Sequence, residues 1–158
     1  HNSFTEEQGT AINQLDGNKG KIPKVARNYY ENKQPWAVIA DVNYGEGSSR
    51  EHAAMSPRFL GCKVVIARGM ARIAETNLKK QGVLPLIFAE ESSWDLLRVD
   101  DRLTIKGTDD LGPNSQVTVE AKHSDGTMDT FVCNHSMDEL QVEWFKSGSA
   151  LNYLRSQN

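Results

Sequence analysis

The stretch "WAVIADVNYGEGSSREHAA", residues 36–54, decides the reading of the fold. It runs from five apolar residues, Trp36 to Ala40, through a turn rich in glycine and hydroxyls into a segment able to form a helix. The apolar run is too short for a helix and reads as a strand buried on both faces. Val64 to Ala67 and Leu84 to Ala89 are runs of the same kind. Helical segments lie between them. The first is expected from near Ser48 to just before Pro57. The second, Met70 to Gln81, carries Ile73, Asn77 and Leu78 at helical spacing and stops at Gly82, a C-cap residue. Strand, helix, strand, helix, strand predicts parallel βαβ units with right-handed crossovers.

Upstream, Ile22-Pro23 opens a helix predicted through Lys33, with Val25, Tyr29 and Tyr30 forming a partial apolar stripe. Residues 1–21 are polar and end in Asp16-Gly-Asn-Lys-Gly-Lys, a linker-like composition, so the domain is expected over 22–158. Downstream of residue 98 the pattern changes. Leu103 to Ile105 and Val117 to Ala121 alternate apolar and polar, as half-buried antiparallel strands do. Ser124-Asp-Gly126 is a hairpin turn into Thr130 to Cys133, Asp138 is placed to cap a helix, and Ser149 to start a last one. The expected class is α/β, with parallel βαβ units and a second, antiparallel strand layer.

Composition narrows the function. At 158 residues the chain is large enough for one full core. A net charge of -3 gives no electrostatic footprint for nucleic acid or an anionic membrane. No apolar run approaches the roughly 20 residues that cross a bilayer, and the N-terminus has no signal-peptide pattern. The chain opens on His1 rather than Met, which predicts a piece of a longer protein. Two cysteines, Cys62 and Cys133, without a CxxC, predict free buried thiols in a reducing compartment.

The turn at 44–51 is poor packing material and good ligand-binding material. Gly45 and Gly47 permit positive φ and close approach of a ligand to the main chain. Ser48 is expected at or near a helix N-cap, where free amides and the macrodipole favour an anion. Arg50 adds a guanidinium able to hold a carboxylate through two parallel bonds. Ser48 and Glu51 also have the S-x-x-E spacing of a capping box, and spacing alone leaves both readings open. Walker A, dinucleotide and nucleophile-elbow patterns are absent. A Ser48–His52 pair would sit one helical turn apart, a poor geometry for proton transfer.

The stretches "NYGEGSSREHAAMSPRFLG" (43–61) and "ARIAETNLKKQGVLPLIFA" (71–89) resemble the C-terminal swivelling domain of mitochondrial-type aconitases. The ending "EWFKSGSALNYL" (143–154) is similar too. The resemblance implies a swivelling β/β/α domain of an aconitate hydratase, which interconverts citrate and isocitrate through cis-aconitate. It implies Ser48 as the base that removes the carbon-bound proton, and Ser49 and Arg50 as contacts to substrate carboxylates. It implies a [4Fe–4S] cluster ligated by preceding domains and none in this chain, so the isolated chain should neither bind a cluster nor turn over citrate. The implied partners are a tricarboxylate and the N-terminal cluster-bearing domains, with no nucleic acid or membrane. The implied location is the mitochondrial matrix, or the cytoplasm in a bacterium.

The chain also departs from the family's pattern. Arg68-Gly69-Met70 stands where members commonly read Lys-Ser-Phe, Ala74 where His is usual, and Cys62 where Gly is frequent. These leave the substrate preference open. Two other assignments compete: the small subunit of an isopropylmalate isomerase-like hydro-lyase, and a non-catalytic binding domain. "ETNLKKQG" and Glu46 favour aconitase over the first, and the acidic balance disfavours an RNA-binding form of the second.

Overall fold

A computed structural model describes residues 2, 4, 6–47 and 50–158. Among these, β3 (Trp36–Ala40), β4 (Cys62–Ala67) and β5 (Leu84–Phe88) are parallel neighbours, as the apolar runs predict. α2 (His52–Phe59) and α3 (Arg72–Gln81) make the two crossovers. β4 and β5 are buried nearly throughout, but β3 lies at the sheet edge and is only half-buried, so only two of the three runs are covered on both faces. A bulge at Lys63, between the pairs Trp36–Cys62 and Ala37–Val64, turns Cys62 to the same face as Val65.

Several helix boundaries differ from expectation. α2 runs through Pro57 instead of stopping before it. Pro57 removes only the donor to the Ala53 carbonyl, and the next turn closes through Leu60 N–H to the Ser56 carbonyl (3.2 Å). α3 begins at Arg72 rather than Met70, because Met70 pairs with Tyr44 in a parallel bridge that extends the sheet. At its other end Gly82 is left-handed (φ +73) and so close to the turn at 147–149 that a Cβ there would lie 1.9 Å from the Gly148 carbonyl oxygen. Only glycine fits.

The antiparallel half consists of β6 (Arg102–Lys106), β7 (Gln116–Lys122) and β8 (Met128–Asn134). The sheet order is β3-β4-β5-β8-β7-β6. The two halves therefore belong to one mixed sheet, paired through Ile87–Asn134 and Phe88–Cys133, with Ala89 N–H donating to the Val132 carbonyl (3.0 Å). The main core takes side chains from both, among them Ile66, Leu84 and Leu86 with Val117, Val119 and Phe131. A second cluster of Ala54, Cys62, Val65, Leu78 and Val83 lies under α2 and α3. α4 (Glu139–Lys146) starts at Asp138 in a capping box with Gln141, and α5 (Ala150–Ser156) at Ser149, whose side chain accepts from the Asn152 amide.

The polar N-terminal stretch also carries an element its composition does not announce. β1 (Thr10–Ile12) and β2 (Lys19–Lys21) form a small antiparallel sheet before α1 (Ile22–Glu31). It is held to α1 by Asn13 Nδ2 donating to Asn28 Oδ1 (2.9 Å) and Gln14 N–H donating to the Tyr29 hydroxyl (2.8 Å).

At the turn of the β7–β8 hairpin, His123 is buried between two carboxylates. Nδ1 lies 2.5 Å from Asp101 Oδ1 and Nε2 lies 2.7 Å from Asp129 Oδ2. Two carboxylate acceptors demand two N–H donors, which only the imidazolium provides. The bonds to Asp101 and then Asp129 hold its pKa above the ordinary histidine value, against burial and the nearby Arg98. A pKa raised on folding stabilises the protein below the unfolded value and stops doing so as pH rises through the folded one. Melting temperature should therefore fall as pH rises above about 6.5, and His123→Gln should remove that part of the slope. Thermal melts of both proteins across pH 5–9 check it, and identical slopes contradict it.

Candidate functional site

The C-terminal ends of β3, β4 and β5 lie side by side, where open α/β sheets bind ligands. The turn after β3 is zipped to the segment after β4. Arg68 N–H donates to the Ala40 carbonyl (3.2 Å), Gly69 N–H to Asp41 (3.4 Å), Tyr44 N–H to Gly69 (3.3 Å) and Ala71 N–H to Tyr44 (2.9 Å). Arg68 ties the three strand ends together. Its Nη1 lies 3.2 Å from Asp41 Oδ1 and its Nη2 3.4 Å from Glu91 Oε2. Asp41, Arg68 and Glu91 are far apart in sequence, so this tie went unread, although each stands within four residues of a strand's end. Tyr44 packs on the second core cluster, and burial pushes its phenol pKa up.

Of the two glycines read as permitting positive φ, only Gly45 uses it (φ +83). A Cβ on Gly45 would lie 2.1 Å from the Ala74 Cβ, whereas one on Gly47 would meet nothing within 4 Å among the described residues. Ser48 and Ser49 lie outside the described residues. Arg50 is exposed one residue before the N-cap of α2, and its carbonyl accepts from the Ala53 amide (3.1 Å). Glu51 itself is the N-cap, without a side-chain capping bond, and its Oε1 accepts from Gln81 Nε2 (3.1 Å). The capping box that the S-x-x-E spacing allows would put Glu51 at the third helical position, whereas Glu51 stands at the N-cap; the Ser48 half of that pair lies outside the described residues. The described helix begins at His52, four residues beyond the expected start.

Beside the turn, the N-cap of α3 is Ala71, which has no side chain able to cap it. The first amides of that helix therefore have no side-chain cap from the N-cap residue. The two thiols do not fit a cluster. Cys62 and Cys133 are each fully buried, in different core clusters, and burial pushes both thiols up to about 12. Cluster iron takes thiolates, which such sites disfavour.

Comparison with known proteins bears on this arrangement. A model of the aconitase C-terminal domain matches residues 1–91, more than half of the chain and the whole of the turn. The chain belongs to the aconitase C-terminal domain family. It is 46% identical over 154 residues to the mitochondrial aconitate hydratase of Gracilaria gracilis, covering 98% of this chain and 20% of that protein. It is 45% identical over 145 residues to the mitochondrial homocitrate dehydratase of Saccharomyces cerevisiae, covering 89% of this chain and 18% of that protein. This aconitase-family chain thus spans about a fifth of the length of the curated relatives it matches. Its fold is also similar to 3-isopropylmalate dehydratase from Methanocaldococcus jannaschii, with a TM-score of 0.55 and 23% identity over 85% of this chain and 72% of that one.

Proposed function

We propose that residues 22–158, led into by the polar stretch 1–21, form the substrate-binding and base-supplying domain of a mitochondrial aconitate hydratase. The observation that carries this reading is the turn at 44–51. It lies within the family match and leaves the C-terminal edge of the parallel strands, beside an α3 start with no capping side chain.

In this reading Ser48 Oγ takes the carbon-bound proton of citrate or isocitrate: the C–H bond breaks and its electron pair forms the double bond of cis-aconitate. A serine hydroxyl is far too weak an acid to ionise unaided, so the base needs stabilisation from backbone amides and the neighbouring guanidinium. Arg50, with Ser49, holds a substrate carboxylate and fixes the reacting carbon near that oxygen. Groups outside this chain handle departure of the hydroxyl, because its own thiols do not fit the family's [4Fe–4S] cluster. The chain's partner is accordingly the N-terminal, cluster-bearing part of the same enzyme.

The likeness to homocitrate dehydratase supports a second substrate, homocitrate, which differs from citrate by one methylene. A methylene in a pocket is worth about 1–3 kcal/mol of discrimination. Assaying the intact enzyme with citrate, isocitrate, homocitrate and 3-isopropylmalate tests the assignment. Citrate and isocitrate should give the highest kcat/KM, and the isolated chain should give no turnover with any of them. A clear preference for 3-isopropylmalate would overturn it.

A further inference from the structure

Two adjoining hollows lie away from the C-terminal strand edge, and the chemistry proposed above uses neither. The larger, of about 830 Å³, sits at the N-terminal ends of β3 and β4. Tyr30, Met55 and Phe59 form its apolar wall. Tyr30 and Phe59 stack with ring centroids 6.1 Å apart, yet Phe59 stays 74% exposed. The smaller hollow, of about 270 Å³, is a recess at the rim of the main core, between Val64, Leu84, Ile105 and Phe145. Arg58 and Lys63 line both hollows and so mark the place where they meet. Arg58 is half-buried there and held in a fixed orientation. Its Nε donates to the Gln81 carbonyl (2.8 Å) and its Nη2 to the Gly148 carbonyl (3.3 Å). Both acceptors are neutral, so neither cancels the charge.

With Lys33, the larger hollow has three cations in its lining against one carboxylate, Glu31, in a chain whose acidic residues outnumber its basic ones 21 to 18. Among the described residues none of these three cations forms an ion pair. An oriented guanidinium without a counter-ion, set between apolar walls, suits an anion that carries an apolar body. We propose that the two hollows bind a small amphipathic carboxylate. Its carboxylate pairs with Arg58 and Lys63, its hydrocarbon chain fills the recess between Leu84 and Phe145, and the larger hollow is the open mouth. A nucleoside phosphate would use the cations and the Tyr30–Phe59 stack but leave the recess empty, so the recess favours the aliphatic ligand. The site lies at the opposite ends of the strands from the serine–arginine turn. It is therefore independent of the reading of Ser48 and Arg50, and its ligand binds together with citrate.

Isothermal titration calorimetry of the intact enzyme tests this with butanoate, hexanoate and octanoate, citrate being kept saturating so that the catalytic edge is occupied. Affinity should rise about tenfold for every two methylenes, the worth of burying them. Octanol, which lacks the charge, and acetate, which lacks the chain, should each bind more weakly than octanoate by about tenfold or more. Two variants divide the site. Lys63→Glu, at an exposed position, sets a like charge beside the carboxylate, and Thr108→Trp plugs the recess, which Thr108 also lines. Each should fold, keep parental turnover and weaken octanoate about tenfold. Arg58→Gln should weaken it further; if that variant does not fold, the other two carry the test. The proposal is overturned if octanoate shows no saturable binding, if affinity is independent of chain length, or if citrate displaces the ligand. It is equally overturned if ADP binds more tightly than octanoate, or if Lys63→Glu and Thr108→Trp both keep parental affinity.

Discussion

Replacing Ser48 by Ala in the intact enzyme lowers kcat by roughly 10²–10⁴-fold, the usual contribution of a positioned general base, and leaves KM nearly unchanged. The hydroxyl acts on the proton as it is removed, and an interaction made only in the transition state shows in kcat rather than in binding. A capping role would behave otherwise. It would cost about 1 kcal/mol of stability and leave turnover per folded molecule intact. The structure weakens that competing account, because α2 starts at His52 with Glu51 as its N-cap. Ser48→Ala should therefore melt close to the parent while losing its turnover.

Arg50→Lys has the opposite signature. Lysine keeps the charge but cannot form two parallel bonds to a planar carboxylate. Losing one charge-assisted bond of about 1.5–3 kcal/mol raises KM by roughly 10- to 100-fold, with a smaller fall in kcat. Steady-state kinetics with isocitrate measures both. Parental KM in Arg50→Lys would show that the guanidinium does not hold substrate. Arg68 is no substitute for it, being engaged by Asp41 and Glu91 across the strand ends.

The parallel strands were legible because burial writes itself into short, continuously apolar runs, and β7 and β8 because one-sided burial alternates. Gly82, Asp138 and Ser149 were legible as caps, since each solves a local backbone problem that few residues solve. Long-range contacts left no comparable mark. Nothing near Lys79 announces that this lysine is buried with Nζ 2.8 Å from Ser136 Oγ, 57 residues away. His123 and His135 are likewise polar residues in a sequence and buried ones in the fold. His135 Nε2 meets Ser115 Oγ at 2.9 Å, and burial holds its pKa below the ordinary value. The small β1–β2 sheet was missed because its strands are three residues long and β2, Lys-Gly-Lys, is polar. Pro57 was overread as a stop, since one missing donor inside a helix costs less than ending it against a packed face.

At the site, residue types were legible and their support was not. Gly45 reads as a flexible turn residue, yet its lack of a side chain answers to Ala74, 29 positions later. The central claim remains that Ser48 takes the substrate's proton. The measurement that reaches it most directly is the primary deuterium isotope effect on dehydration of isocitrate labelled at the carbon that loses its proton, in parent and Ser48→Ala enzymes. With the base removed, C–H cleavage becomes the slowest step, so the isotope effect should rise as kcat falls. A Ser48→Ala enzyme with parental kcat and an unchanged isotope effect would contradict the account.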